Sequence, residues 1–312
     1  MKEIKKYMDI VRYGKPQTAG VLTPGDIISI TEKIDGANAS FTRDEDCKSP
    51  LGISAFSRRQ RVDYSNTLQG YYDWIVKNIV PIKERLVPTY RYIGEWLAPH
   101  KVAYKEEYYY NFYLFSIWDE ELEEYLPDDL IISEAERLGL NTVPYFYIGE
   151  FKDYDQLTQY IGKSTMTLRP NEGEGIVVKN PKYKDRNQEQ CFVKLVSERF
   201  AEVQKQKLPK NPNIYDKERE LIKTVLTKPR VEKIMLKQVD EGVLTRDDFI
   251  IEKMGLLIKT LSPLVFEDMI KEESDILKDI EESVLGKQMG KILPLVIKEV
   301  LKDYESDFIK GE

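Results

Sequence analysis

The sequence predicts an α+β domain built on mixed or antiparallel sheets, followed by a small all-helical domain. Three observations carry this reading. Up to about residue 205, short runs rich in β-branched and aromatic residues alternate with a few stretches of helical periodicity. After Phe200 the β-like alternation stops. Between the two textures lies Leu208-Pro-Lys-Asn-Pro-Asn213, which has linker composition. The domains are therefore drawn at 1–205 and 214–312.

The β-like runs fall at 27–31, 39–42, 90–97, 112–118, 175–179 and 191–196, and apolar residues take helical spacing at 70–80 and 133–138. In the second half, Pro229 suits the first turn of a helix carrying Val231, Ile234, Met235 and Val239. Thr245-Arg-Asp-Asp248 has the spacing of a capping box and predicts a helix through Phe249, Ile250, Met254, Leu257 and Ile258. Ser262-Pro263 and Ser274-Asp275 read as two further helix starts, and Gly286, Gly290 and Pro294 as interruptions or kinks in the last helix.

Composition narrows the function classes. A chain of 312 residues with 41% hydrophobic and 32% charged residues is neither disordered nor collagenous nor a membrane bundle. No run approaches the ~18 apolar residues of a membrane span. Met-Lys-Glu-Ile-Lys-Lys lacks the apolar core of a signal peptide, so a cytoplasmic protein is expected, in the host cytoplasm if the source is viral. Only Cys47 and Cys191 occur, without CxxC spacing, and His100 is the sole histidine. A disulfide framework, a cysteine zinc site and a Ser-His-Asp triad are all poor readings. The net charge of −7 argues against indiscriminate coating of nucleic acid. Residues 179–210 are locally basic, with nine Lys/Arg against four acids, which fits a solvated linker or a nucleic-acid contact.

The chemistry concentrates in Thr31-Glu-Lys-Ile-Asp-Gly-Ala-Asn-Ala-Ser40. Lys33 leaves an apolar run and meets Asp-Gly, where glycine permits a tight turn and close approach to a ligand. A lysine is a nucleophile only when deprotonated, which calls for desolvation or neighbouring cations. Five further segments follow in order: Ser57-Arg58-Arg59, Tyr92-Ile-Gly-Glu-Trp-Leu97, Phe112-Tyr-Leu-Phe-Ser-Ile-Trp118, Glu174-Gly-Ile-Val-Val-Lys179 and Phe192-Val-Lys194. This ordered series resembles the collinear motifs of the covalent nucleotidyltransferases, the polynucleotide ligases and mRNA capping enzymes. Within that superfamily it is most similar to the RNA ligase 2-like family, ATP-dependent RNA ligases of the nick-sealing type. That family carries a helical domain where DNA ligases and capping enzymes carry an OB-fold.

The resemblance implies a nucleotidyltransferase (ATP-grasp-like ligase) domain and a role for each matched residue. Lys33 would take AMP from ATP, pass it to an RNA 5′-phosphate, and a 3′-hydroxyl would then displace it. Glu32 and Ile34 would border the adenine, Phe115 would stack on it, and Glu95 would hold the ribose. Asn38 and Arg58 would orient the phosphate or the nick end, with Arg59 the neighbour to consider. Lys179 and Lys194 would neutralise phosphates, and Glu174 would hold Mg²⁺ or Mn²⁺. The implied partner is RNA with 3′-OH and 5′-phosphate ends, as in a nicked duplex, and the chain is taken to act as a monomer. Two positions depart from the family pattern: Ser116 stands where an aspartate is usual, and Val196 where a second lysine is usual. Either the missing cation comes from elsewhere, such as Arg199, or one step of the reaction is weaker. A DNA ligase, a GTP-using capping enzyme and a degenerate protein that grips RNA ends are the alternatives. Local packing is the simpler reading of His100 and Cys191.

Overall fold

A computed structural model describes residues 2–44, 51–185, 187–200 and 214–310. Cys47, Arg186 and the 208–213 linker lie outside the described residues. The chain divides into two units, Met1–Ser197 and Glu198–Glu312.

Among the described residues, the first unit holds two sheets. Its strands are β1 (Val11–Arg12), β2 (Ile27–Lys33), β3 (Ala37–Arg43), β4 (Ile53–Ser57), β5 (Arg61–Val62), β6 (Tyr90–Trp96), β7 (Phe112–Asp119), β8 (Glu124–Tyr125), β9 (Asn141–Thr142), β10 (Tyr145–Glu150), β11 (Gly175–Lys184) and β12 (Gln190–Val196). One sheet runs β1-β12-β11-β2-β10 and the other β5-β4-β3-β6-β7-β8, with β9 beside β7. Nearly all pairings are antiparallel; β1 with β12 and β9 with β7 are the parallel ones. All six β-like runs of the sequence are strands.

Alternation along each strand sorts the side chains. In the second sheet Ala37, Ala39, Phe41, Tyr92, Trp96, Phe112 and Leu114 enter one core, which α1 (Tyr71–Trp74) and α2 (Asp128–Leu138) cover. In the first sheet Ile28, Ile30, Ile176, Val178 and Val193 enter another, with Leu157 of α3 (Tyr154–Thr158). Two glycines are required by close approach. A Cβ on Gly94 would lie 2.4 Å from the Tyr113 carbonyl oxygen, and one on Gly175 would lie 2.1 Å from that of Leu195.

The periodic stretch at 70–80 is not one helix. It begins as α1, widens to a π turn at Ile75–Ile79 and tightens to a 3₁₀ turn at Val80–Arg85. Pro81 lacks the amide hydrogen that would continue the α ladder.

The second unit is all-helical in its described residues: α4 (Ile214–Val225), α5 (Lys228–Asp240), α6 (Met254–Glu272), α7 (Ser274–Leu277) and α8 (Glu282–Lys310) surround a core that includes Met235, Leu257, Leu261, Val265, Leu293 and Ile297. Arg230 at its centre is fully buried. Its guanidinium binds Glu273 at 2.6 Å, the Val225 carbonyl at 2.8 Å, and Asp268. Three helix expectations are corrected. The Thr245–Asp248 capping box forms, but it caps only a 3₁₀ turn at Arg246–Asp248; Ile250 is extended and the helix proper starts at Met254. Ser262-Pro263 starts no helix, because α6 runs through Pro263 while the Ser262 hydroxyl donates to the Ile258 carbonyl at 2.7 Å. Likewise α8 continues past Gly286, Gly290 and Pro294 without a break. No described helix is long and apolar enough to cross a membrane.

Candidate active site

β2 ends at Lys33 and β3 starts at Ala37, so the Asp35-Gly36 turn carries the chain from one sheet to the other. Asp35 pins that turn. Its Oδ2 accepts from the amides of Lys101 and Val102, both at 2.9 Å, and His100 Nδ1 stands 3.5 Å from its Oδ1. Burial works to raise its pKa, but His100, the Val102 amide and Lys33 hold it at about 2. His100 therefore has a structural task, orienting the turn that presents Lys33.

Lys33 Nζ lies 2.6 Å from Glu174 Oε2. Gly175 sits directly across the ladder from Lys33, which brings Glu174 to the amine. Glu95 is placed by a second register, opposite Asn38 on β3, and its Oε1 accepts from the Gly36 amide at 3.1 Å. Lys33 at the end of β2, Glu95 on β6 and Glu174 just ahead of β11 thus come to one place from two sheets. Burial lifts Glu95 to about 7, with Lys33 and His100 pulling it down and Glu174 and Asp35 pushing it up. For Lys33, burial disfavours the ammonium, yet Glu174 and Glu95 hold its pKa above the usual lysine value. Of the two conditions set for a free amine, burial is met, but the neighbouring charges are carboxylates and not cations, and Glu174 and Glu95 outweigh the burial.

The remaining sequence-predicted residues divide. By register, Lys194 faces the same side of the sheet as Lys33: it pairs with Val177, which pairs with Thr31. Val196, where the second lysine was missed, lies across from Gly175 on that side. Arg12, which the sequence gave no reason to notice, pairs with Lys194 across β1 and shares the face. Phe115 is partly exposed at a slip in register, where Gly94 faces Leu114 but Ile93 faces Ser116. Arg58 leaves β4 and is bound to Asp9 at 2.6 Å. Ile34 is buried beside Lys33. Glu32 alternates to the opposite face of β2, 1% exposed; burial raises its pKa to about 7 against the pull of the Ser164 hydroxyl. Lys179 is not free for phosphate: it is 3% exposed and its Nζ binds Asp128 Oδ1 at 2.8 Å. Asp128 was missed because it lies in α2, outside every motif.

Residues 26–196 match the RNA ligase family. The chain belongs to the RNA ligase family. The matched span runs from just before β2 to the end of β12 and contains Lys33, Glu95, Glu174 and Lys194. Among solved structures, a mutant of Naegleria gruberi RNA ligase with ATP and Mn shares 19% identity at a TM-score of 0.45. The same ligase with PPi shares 18% at 0.45. In both cases the match covers 63% of this chain and 57% of that one. No curated protein matches the chain.

Among the described residues no three His, Cys, Asp or Glu side chains are grouped as a metal cage. Glu174 nevertheless suits Mg²⁺ or Mn²⁺, since such an ion takes one or two carboxylates and completes its shell with phosphate and water.

Proposed function

We propose that this member of the family is an ATP-dependent RNA ligase joining 3′-OH and 5′-phosphate ends, with nicked duplex RNA as substrate. The observation that supports it most is the meeting of Lys33, Glu95 and Glu174 at the junction of the two sheets. In the first step Lys33 Nζ attacks the α-phosphorus of ATP, forming an N–P bond as pyrophosphate leaves. The RNA 5′-phosphate then takes the AMP from Lys33, and a 3′-hydroxyl finally attacks the activated 5′-phosphorus and expels AMP. Lys33 must first give a proton to solvent water, so Glu174, whose pairing retains that proton, has to turn from the amine before attack. Glu174 would hold the divalent ion, which neutralises charge on the phosphates when bound. Lys194, with Arg12 beside it, would face the phosphates, as charge developing on phosphoryl oxygens requires. Phe115 would stack on adenine, Glu95 would hold the ribose, and Asn38 and Arg58 would orient the phosphate or the RNA end. Unit 1 is the adenylyltransferase and unit 2 helps dock the duplex.

The test is sealing of a nicked RNA duplex with ATP and Mg²⁺, run beside nicked DNA and with GTP in place of ATP. Joined RNA with ATP supports the reading. Joining of DNA alone, or joining supported by GTP and not by ATP, would refute it.

A further inference from the structure

Lys179 stands in a motif whose lysine invites a phosphate, yet its amine is enclosed. Nζ donates to Asp128 Oδ1 at 2.8 Å and to the Phe115 carbonyl at 2.5 Å. Asp128, the first residue of α2, also accepts from Ser29 Oγ at 2.5 Å and from the Tyr145 hydroxyl at 2.7 Å. One carboxylate thereby ties together β2, β10, β11 and α2. Through Lys179 it reaches the main chain of β7 where the register slips beside Phe115. At such a slip the ladder is interrupted, and the lysine supplies the Phe115 carbonyl with a donor. On the ring side, Tyr7 packs against Phe115 with centroids 5.0 Å apart. Phe115 is therefore fixed in both backbone and side chain while remaining partly exposed.

We infer that Lys179 and Asp128 are positioning residues for the nucleotide base: they fix Phe115, the shelf on which adenine stacks, and do not neutralise phosphate. The inference rests on Phe115 being the stacking ring of the function proposed above. A buried ion pair whose hydrogen bonds are filled is rigid, and withdrawing Lys179 toward a phosphate would leave Asp128 buried and uncompensated.

The double variant Lys179→Met/Asp128→Asn removes both charges together, so neither is left buried alone. Calorimetry with two separate probes, adenosine and inorganic tripolyphosphate, divides base binding from phosphate binding. Adenosine affinity is expected to fall about tenfold, within the range of base–aromatic stacking, with tripolyphosphate affinity unchanged within about twofold. Unchanged adenosine affinity overturns the inference, and so does loss of tripolyphosphate affinity, alone or with adenosine. If the double variant melts below the assay temperature, Tyr145→Phe removes one donor to Asp128 at lower cost. A roughly threefold loss for adenosine alone is then expected, and no loss overturns the inference. Failure of the wild type to bind adenosine would instead remove the stacking reading itself.

Discussion

Glu32→Gln isolates the charge of one buried carboxylate. Glu32 is 1% exposed, so burial opposes its ionisation more strongly than the nearby Ser164 hydroxyl favours it, and its pKa rises from 4.5 to about 7. The folded protein therefore keeps this proton over a pH range in which the unfolded chain has lost it. Stability falls as pH rises through the window from 4.5 to 7 and is flat above it. The full penalty is about 3 kcal/mol, at 1.36 kcal/mol for each pH unit of the window. Glutamine mimics the protonated acid and never ionises. Wild type and variant should unfold alike near pH 4, separate between pH 5 and 7, and by pH 8 differ by about 3 kcal/mol in favour of the variant. Trp74, Trp96 and Trp118 are the only three tryptophans and all lie in the first unit, so their fluorescence during urea unfolding follows the unit that holds Glu32. Glu95 titrates in both proteins and cancels. Parallel curves across the whole pH range would mean that Glu32 is paired or hydrated, and the burial reasoning would be wrong.

Arg230→Met should cost the helical unit about 3–5 kcal/mol, because it leaves Glu273 charged at 0% exposure; Arg230→Met/Glu273→Leu should recover most of that in far-UV circular dichroism melts. Glu174→Gln removes the partner that raises the Lys33 pKa, so the Lys33 amine should titrate at lower pH by NMR of labelled lysine, and an unmoved midpoint would contradict the pairing. Gly175→Ala would force a Cβ to within 2.1 Å of the Leu195 carbonyl oxygen, prying β12 from β11, and should abolish nucleotide binding or folding, as read by tryptophan fluorescence.

What the sequence made legible was local. The strands were readable because β-branched and aromatic runs alternate with one buried face, and the motif residues because they end those strands. Helix limits were less so. Pro263 reads as a start only until the rest of α6 is seen to pack through it, and the Thr245–Asp248 box cannot announce that Ile250 will be extended. The site separated along the same line. Lys33, Glu95 and Glu174 carry their signal in neighbouring residues. Asp128, Asp35's hold on residues 100–102, and Arg12 beside Lys194 depend on long-range register. The charge around Lys33 depends on register too: Glu95 and Glu174 are distant in sequence, and only the fold brings them close.

Incubation with α-labelled ATP and Mg²⁺, then a denaturing gel and peptide mapping, addresses the nucleophile itself. The wild-type chain should carry acid-labile label on the peptide containing Lys33, and Lys33→Ala should carry none. Equal labelling of Lys33→Ala, or label mapped to another lysine, would show that the amine between Glu174 and Glu95 is not the one that bonds to AMP.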